Sequence, residues 1–233
     1  MKALVVIPTY NELENIGPLT TALFRLPIHF DILVVDDSSP DMTGHLVAKL
    51  ASGEPRLHLL TREKKEGLGR AYVAGFEWGL QKGFDIIVEM DADFSHRPED
   101  LVKILEGMKT ADFVVGSRYV AGGGAVNWGL ARKIISRGGG IYSRLILGFP
   151  LNDWTGGFNA WSKETLRKID LLRVRSNGYS FQIELKYRAL KEGCKGIEVP
   201  IIFEDRRVGK SKMSLNIVLE AFWRVWKMRW LKP

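Results

Sequence analysis

Two carboxylates at the end of a short apolar run are the residues of this chain best placed to do chemistry. Asp91 and Asp93 follow residues 86–90, which are apolar apart from Glu89 and predict a buried parallel strand. Side chains two residues apart on a strand point the same way, so these carboxylates converge just beyond the strand end. Hard oxygen ligands suit Mg²⁺ or Mn²⁺, which would in turn hold phosphate oxygens. The alternative is a polar strand exit that leads into a helix cap.

The elements that must position these acids form a repeating pattern of strands and helices. Five apolar runs predict strands, and they alternate with segments of helical spacing. The predicted strands are residues 3–8, 32–35, 57–60, 86–90 and 113–116. The alternation predicts an α/β fold with a doubly wound, mostly parallel sheet, whose ligands bind at the carboxyl ends of the strands. Four distinctive clusters lie at those ends: Pro8-Thr9-Tyr10, Asp36-Asp37, Asp91-Ala92-Asp93 and Gly116-Ser117-Arg118. Their common edge predicts one shared site.

The composition is that of a globular protein with an excess of positive charge. The 233 residues are 45% hydrophobic and 26% charged, and the formal net charge is +7. This balance favours anionic partners such as nucleotides, phosphorylated lipids and membrane surfaces. The basic residues are dispersed and form no RNA- or DNA-binding motif, so nucleic acid is not an expected partner. The single cysteine, Cys194, predicts a reducing compartment, and we expect neither a signal peptide nor a membrane span.

Several common site motifs are missing from the sequence. The chain has no Walker P-loop, and Gly67-Leu68-Gly69 lacks the third glycine of a dinucleotide fingerprint. No serine elbow and no Cys/His pairing suggests acyl transfer. A Rossmann oxidoreductase is therefore disfavoured. The glycines of Gly67-Leu68-Gly69 either pack a helix N-terminus or contact phosphate.

The second half of the chain carries basic and glycine-rich segments. Residues 128–147 have helical spacing interrupted by three glycines, and Arg132, Ser136 and Gly140 share one face, where the glycine leaves room for a close-lying group. A turn-rich stretch, the 153–158 loop, is followed by a predicted helix over residues 179–192 and a predicted strand over residues 197–203. Residues 206–212 hold four cations around a glycine, which predicts either a phosphate clamp or a solvated basic loop.

The last segment, residues 213–232, has the pattern of an amphipathic helix. Its polar residues form a narrow stripe and three tryptophans lie on one flank: Asn216, Glu220, Arg224 and Lys227 on the stripe, and Trp223, Trp226 and Trp230 beside it. A helix of this type can lie in the headgroup plane of a bilayer or pack against another protein's membrane segment. The alternative is an ordinary helix docked on the core.

The motifs together resemble those of the dolichol-phosphate (polyprenol-phosphate) mannose synthases, which are family 2 inverting glycosyltransferases of the GT-A fold. The resemblance runs from residue 4 to about residue 212. It is carried by Ile7-Pro8-Thr9-Tyr10-Asn11-Glu12, by residues 34–41, by Gly67-Leu68-Gly69, by residues 90–98, by Gly116-Ser117-Arg118-Tyr119, and by Arg206 with Gly209, Ser211 and Lys212. It implies one GT-A domain over residues 1–212, with a nucleotide-sugar half (1–120) and an acceptor half (121–212), and a membrane-interface helix over residues 213–233.

The resemblance implies that one set of residues binds the donor, GDP-mannose. The base and ribose would contact the ends of the first two strands, at Pro8, Tyr10, Glu12, Val35 and Asp36. Asp91 and Asp93, with Ala92 between them, would bind the donor and the divalent metal, Mg²⁺ or Mn²⁺, that bridges its diphosphate. Many relatives have Gln as a further metal ligand where this chain has Ser95, a weaker ligand. Arg206 and Lys212 would clamp the diphosphate from the basic loop.

A second set would bind the acceptor, a polyprenyl or dolichyl phosphate. The resemblance places its phosphate at Arg118, Arg132 and Ser136, and makes the two arginines, with Asp91 and Asp93, the catalytic residues. The amphipathic segments near 132–147 and 214–231 would seat the protein on the cytoplasmic face of a membrane. Some relatives continue into transmembrane hairpins where this chain ends at Pro233, so we expect a type that lies on the bilayer or uses a membrane-anchoring protein.

The predicted activity is transfer of mannose to the lipid phosphate with inversion. A phosphate monoester has a second pKa of about 6 and is largely dianionic at neutral pH, so it needs no general base. Two alternatives stay open: a UDP-sugar-dependent polyprenyl-phosphate glycosyltransferase of the same fold, such as a glucosyltransferase, and a non-catalytic nucleotide-sugar or membrane-binding module.

Overall fold

Seven strands form the central sheet of the computed structural model, which describes residues 1–174, 176, 178–205 and 215–230. In chain order the strands are β1 (Ala3–Thr9), β2 (Asp31–Asp36), β3 (Leu57–Thr61), β4 (Ile86–Glu89), β5 (Phe113–Ser117), β6 (Gly124–Ala125), β7 (Asn159–Ser162), β8 (Gly196–Pro200) and β9 (Ile202–Phe203). The central sheet has the order β3-β2-β1-β4-β7-β5-β8, and only β7 runs antiparallel to its neighbours. β6 and β9 pair separately. The predicted mostly parallel α/β sheet is confirmed.

Helices cover both faces of this sheet. In the described part of the chain they are α1 (Leu13–Phe24), α2 (Thr43–Ala51), α3 (Leu68–Gln81), α4 (Asp100–Gly107), α5 (Leu130–Leu147), α6 (Lys163–Ile169), α7 (Tyr179–Lys191) and α8 (Leu215–Trp230), with a short 3₁₀ helix at Leu171–Arg173. Side chains alternate along β1, so Val5 and Ile7 pack with α1, α2 and α4 whereas Leu4 and Val6 pack with α3 and α7. Two apolar layers therefore fix the sheet and align the carboxyl ends of its parallel strands.

One strand of the central sheet was not predicted from the sequence pattern. β7 lies between β4 and β5 and pairs with both, so that Ala160 faces Val88 on one side and Val114 on the other. The predicted strand over residues 197–203 is also split, because Ile201 separates β8 from β9. β9 leaves the central sheet and brings Phe203 beside His96. Both departures occur next to the end of β4, where the acids lie.

Two glycines that the sequence singled out permit close packing. At Gly69 on α3 a Cβ would lie 2.8 Å from the Ser176 carbonyl oxygen, and at Gly140 on α5 it would lie 2.9 Å from the Asn152 carbonyl oxygen. Gly67, just before α3, has a φ of 102°, which favours glycine. The structure therefore supports a packing role for Gly67-Leu68-Gly69, and the close-lying group expected at Gly140 is a backbone carbonyl.

Among the described side chains of the C-terminal helix α8, those that dock on the rest of the protein lie along one side. The helix packs on α5 and α7, with Val225 and Met228 buried. The rings of Tyr142 and Phe222 stack with centroids 4.4 Å apart. Trp223 and Trp230 are 70% and 78% exposed on its outer side. Within the described residues, none of the helices combines the length and the apolar character needed to span a bilayer.

Candidate functional site

The two acids lie where the sequence predicted them, directly after β4. The Tyr72 hydroxyl on α3 donates to Asp91 Oδ1 (3.1 Å), and the Ser95 amide donates to Asp93 Oδ1 (3.0 Å). Burial, together with the negative charge of Asp91, raises the pKa of Tyr72 well above its usual value. The phenol therefore stays protonated and remains a donor that orients the first carboxylate.

His96 braces the same turn, although the sequence analysis gave it no role. Its Nδ1 accepts the Asp91 backbone N–H (3.1 Å), and its ring stacks on Phe158 with centroids 4.8 Å apart. Burial lowers the pKa of this imidazole, an effect that the nearby carboxylates only partly offset. A neutral ring with an unprotonated Nδ1 is the form that this hydrogen bond requires. In the sequence, the feature that could have indicated this role is the histidine that ends the acidic motif at residues 90–96.

The donor atoms at this edge fit a hard divalent cation. In the part of the chain that the structure describes, no three His, Cys, Asp or Glu side chains gather so as to enclose a metal. A site with Asp91 and Asp93 as its protein ligands leaves positions for phosphate oxygens and water, as is usual for Mg²⁺. The Ser95 hydroxyl oxygen is buried and has no hydrogen-bond partner among the described residues. It is an available third oxygen beside Asp93.

The residues expected to hold the nucleotide lie along the ends of β1 and β2. Pro8 and Val35 pair in the sheet, and the Val35 side chain belongs to the core. Tyr10 is exposed, and Lys65 Nζ lies 3.7 Å from its ring centroid. Ala92 is buried. The Glu12 carboxylate accepts a hydrogen bond from Asn15 Nδ2 (2.8 Å). Tyr10 therefore presents an exposed aromatic ring at this edge of the sheet.

Both carboxylate oxygens of Asp36 accept hydrogen bonds from other residues of the protein. Its Oδ1 accepts hydrogen bonds from the hydroxyls of Thr9 (2.8 Å) and Ser39 (2.6 Å), and its Oδ2 accepts one from the Ser39 amide (2.9 Å). The carboxylate joins the ends of β1 and β2 and shapes the turn after β2. A ribose contact for Asp36 stays a prediction.

Arg62 is a charged residue at this edge that the sequence analysis missed. Its Nη1 donates to Asp37 (2.8 Å) and its Nη2 to Glu66 (2.9 Å). Burial raises the pKa of Asp37, although the Arg62 charge opposes the rise. A basic residue directly after β3 was the signal that could have found it.

The Arg118 side chain is held by Asp153, a residue that was not connected to it from the sequence. Its Nε and Nη2 donate to the two carboxylate oxygens of Asp153 (2.8 and 2.7 Å), and Nη2 also donates to Thr155 Oγ1 (2.8 Å). The side chains of Arg118 and Asp153 are 4% and 0% exposed. Burial alone would raise the pKa of Asp153, but the Arg118 charge and its hydrogen bonds outweigh this and lower the pKa to about 2.

The three residues predicted to bind the acceptor phosphate come together around Trp128 and Tyr119. The guanidinium carbons of Arg118 and Arg132 lie 5.3 and 4.1 Å from the centroid of the Trp128 ring. The Tyr119 hydroxyl donates to Ser136 Oγ (2.6 Å), and Arg132 Nη1 donates to Asp205 (2.8 Å). Trp128 precedes α5 and is buried. Neither aromatic residue was given a role from the sequence, although each lies within or beside a quoted motif.

A row of rings joins the acids to the arginines. Phe203 meets His96 edge to face at 5.5 Å and Trp128 at 5.2 Å, and the Arg118 guanidinium carbon lies 5.5 Å from its centroid. The end of β4 and the arginine cluster are therefore opposite ends of one site. Arg206 and Lys212, the predicted diphosphate clamp, lie outside the described residues.

Comparison with known proteins shows which family this chain is similar to. The family model described as Glycosyl transferase family 2 matches residues 4–170. An undecaprenyl-phosphate mannosyltransferase of Micrococcus luteus is 50% identical over 95% of this chain and 91% of its own length. A polyprenol monophosphomannose synthase of Mycolicibacterium smegmatis is 47% identical over 98% of this chain and 88% of its own length.

A solved structure supports the fold. The mannosyltransferase PcManGT from Pyrobaculum calidifontis, in complex with GDP-Man and Mn²⁺, has a TM-score of 0.60 at 15% identity and matches 97% of this chain and 72% of its own. The predicted GT-A fold is confirmed, as is the resemblance to polyprenol-phosphate mannose synthases. With most of its length matched by the family model and by relatives at about half identity, the chain belongs to glycosyl transferase family 2.

Proposed function

We propose that this protein transfers mannose from GDP-mannose to the phosphate of a polyprenyl phosphate, with inversion at the anomeric carbon. The observation that carries the proposal is the pair of guanidinium groups, Arg118 and Arg132, set on one indole at the end of the site opposite the two acids that follow β4. An acceptor that is itself an anion needs such a cluster. The relatives from Micrococcus luteus and Mycolicibacterium smegmatis are named for mannosyl transfer to polyprenyl phosphates, and the Pyrobaculum neighbour binds GDP-Man.

The two arginines allow the acceptor phosphate to approach the donor diphosphate, although both groups are anions. An acceptor phosphate that is largely dianionic at neutral pH is a competent nucleophile without a general base, but it is repelled by the donor diphosphate. Arg132 contacts the phosphate from the more accessible position, and Arg118 supplies a buried positive charge directly beside it. Ser136, held by Tyr119, offers a hydroxyl to the same group. Direct displacement then inverts the anomeric centre.

The leaving nucleotide diphosphate is neutralised at the other end of the site. Asp91 and Asp93, with Ser95, would hold Mg²⁺ or Mn²⁺, and the cation would supply positive charge to offset the negative charge that develops on the diphosphate. Tyr72 and His96 keep the turn after β4 in place. Arg206 and Lys212 are proposed to approach the same diphosphate. In this proposal the donor residues lie in 1–120 apart from Arg206 and Lys212, and the acceptor residues lie in 121–212 apart from Arg118.

We extend the proposal to peripheral binding at a membrane surface. α5 exposes five large aliphatic side chains, and α8 beside it exposes tryptophans: Leu130, Ile134, Ile135, Ile141 and Leu145, with Trp223 and Trp230. The α5 sequence contains four cations and no acidic residue. An apolar face with basic flanks suits the headgroup region of an anionic bilayer. This position would bring the acceptor phosphate to Arg132 at the start of α5.

A donor panel tests the proposal. Labelled GDP-mannose, UDP-glucose and UDP-N-acetylglucosamine are offered with polyprenyl phosphate in detergent, with Mg²⁺, Mn²⁺ or EDTA. The expected result is an EDTA-sensitive product from GDP-mannose only, with a β-linked mannosyl phosphate. Transfer from a UDP-sugar alone would move the function to the glucosyl-type alternative. Binding of nucleotide without transfer from any donor would overturn the enzymatic proposal in favour of a binding module.

A further inference from the structure

We propose that Lys186 is a positioning residue that holds the acceptor arginine Arg118 in place through the 153–158 loop. The inference rests on the proposed function, because it assigns Arg118 to the acceptor phosphate. Lys186 lies on α7, is fully buried, and donates from Nζ to the carbonyl oxygens of Trp154 (3.1 Å) and Gly156 (2.7 Å). An ammonium group at 0% exposure is costly unless charged and polar partners surround it.

The two carbonyls that Lys186 binds flank the atoms that hold Arg118. Thr155, which accepts from Arg118 Nη2, lies between them in sequence. Asp153, which accepts from Arg118 Nε and Nη2, precedes the first, and its Oδ1 also accepts the Gly156 amide (2.9 Å). A shift of the Trp154 or Gly156 backbone therefore moves both groups that orient the guanidinium.

The same lysine connects this loop to the strand that delivers the metal acids. Three acidic side chains act on the Lys186 ammonium through their charge: Asp153 most strongly, then Glu89 and Glu198. Glu89, at the end of β4, accepts hydrogen bonds from Trp161 Nε1 (2.7 Å) and from Gln182, which lies one turn before Lys186 on α7. Glu89, Lys186, Asp153 and Arg118 thus form a buried series of alternating acidic and basic side chains, all at most 6% exposed, from the end of β4 to the arginine cluster.

The expected consequence is specific to the acceptor. In Lys186→Met, the loop loses two charge-assisted hydrogen bonds while the apolar length of the side chain is retained. A misplaced guanidinium weakens contact with the acceptor phosphate but leaves the nucleotide contacts at β1 and β2 unchanged. We expect the KM for polyprenyl phosphate to rise about tenfold and the KM for GDP-mannose to stay within about twofold, since misplacement by about 1 Å can cost up to about a hundredfold.

The experiment compares Lys186→Met with Lys191→Met, a matched change at the exposed end of the same helix. Both KM values, kcat and the melting temperature are measured for the wild type and the two variants. A purely structural lysine would lower the melting temperature and the active fraction but leave the acceptor KM of the folded protein unchanged, and that result would overturn the inference. A wild-type chain that transfers no sugar from any donor removes the proposed function, and the inference with it.

A second variant covers the case in which Lys186→Met fails to fold. Glu89→Gln combined with Lys186→Met removes an acidic and a basic group together, so the buried cluster does not gain an unbalanced charge. The double variant should regain folding and still show the raised acceptor KM, because the Trp154 and Gly156 carbonyls remain without their ammonium. Recovery of a wild-type acceptor KM would mean that only charge balance matters, and would overturn the positioning role.

Discussion

Asp153→Asn is the substitution whose cost the structure defines best. The wild-type carboxylate accepts the Arg118 backbone N–H (3.0 Å), its Nε (2.8 Å) and its Nη2 (2.7 Å), with both side chains almost fully buried. An asparagine keeps one acceptor oxygen, but it turns an amide nitrogen towards a guanidinium that can only donate. The variant therefore leaves a buried positive charge without its counter-ion.

The size of the effect follows from two independent routes. Lowering the pKa of Asp153 from 3.8 to about 2 corresponds to about 2 kcal/mol in favour of the ionised form in the folded state. Removing one partner of a buried ion pair typically costs about 3–5 kcal/mol. We expect the free energy of unfolding to fall by about 3 kcal/mol at pH 7, a large share of the roughly 5–15 kcal/mol of a typical domain.

The assay is urea unfolding at several pH values. Because the folded-state pKa of Asp153 lies below its unfolded value, the carboxylate contributes fully above the unfolded pKa near 4, and its contribution is lost as pH falls towards 2. The gap in stability between wild type and Asp153→Asn should therefore be constant from pH 7 to about 5 and narrow below about 4. At an m-value near 3 kcal/mol/M the midpoint shift at neutral pH is about 1 M.

A matched control separates this ion pair from ordinary surface charge. Asp170 pairs with Arg173 at 2.9 Å, but the two side chains are 47% and 65% exposed. Asp170 has a φ of 55°, which asparagine tolerates, so Asp170→Asn changes the charge without backbone strain. We expect a loss below about 1 kcal/mol. Equal urea midpoints for the Asp153 and Asp170 variants at pH 7 would refute the assignment of Asp153 as the buried counter-ion.

Further predictions concern the site. Asp93→Asn should abolish metal-dependent transfer, and most activity surviving at saturating Mn²⁺ would argue against Asp93 as a ligand. Arg132→Ala should raise the acceptor KM about tenfold or more with little change for GDP-mannose, as measured by steady-state kinetics. Asp205→Asn should lower the acceptor KM, because the Asp205 carboxylate competes for Arg132 Nη1; a raised value would contradict this competition. Trp223→Ser with Trp230→Ser should reduce sedimentation with anionic liposomes while turnover in detergent stays within about twofold.

Local patterns were enough to predict the sheet edge and the acids on it. The strands that deliver Thr9, Asp36 and Asp91 are continuous apolar runs, and a run of that kind is visible without knowing its neighbours. β7 differs because it has four residues, one of them Asn159, and is defined by pairing with β4 and β5 on either side. Its existence depends on contacts some 70 residues apart in the chain, which no local window contains.

For the arginine cluster, the sequence named the residues that come together but not the residues that hold them in place. Arg118, Arg132 and Ser136 came from motif resemblance, whereas Asp153, 35 residues from Arg118, was seen only as part of a loop. Lys186 was hidden for a different reason. A lysine on a helix is normally solvated, so nothing in its immediate sequence indicates that this one is buried against backbone carbonyls.

The row of aromatic rings between the two ends of the site explains how carboxylates at one end and guanidinium groups at the other can lie a short distance apart. Under the proposed function, the donor end needs carboxylates for a cation, and the acceptor end needs guanidinium groups for a phosphate; in direct contact the two sets would pair with each other and bind neither ligand. His96, held neutral by burial, together with Phe203 and Trp128 separates Asp91 from the arginines without adding charge. The buried rings of His96 and Trp128 also keep water from screening the field between the two ends. Asp153 directly, and Lys186 through the 153–158 loop, hold the Arg118 guanidinium, so that under the same proposal its charge is fixed in position before the acceptor binds.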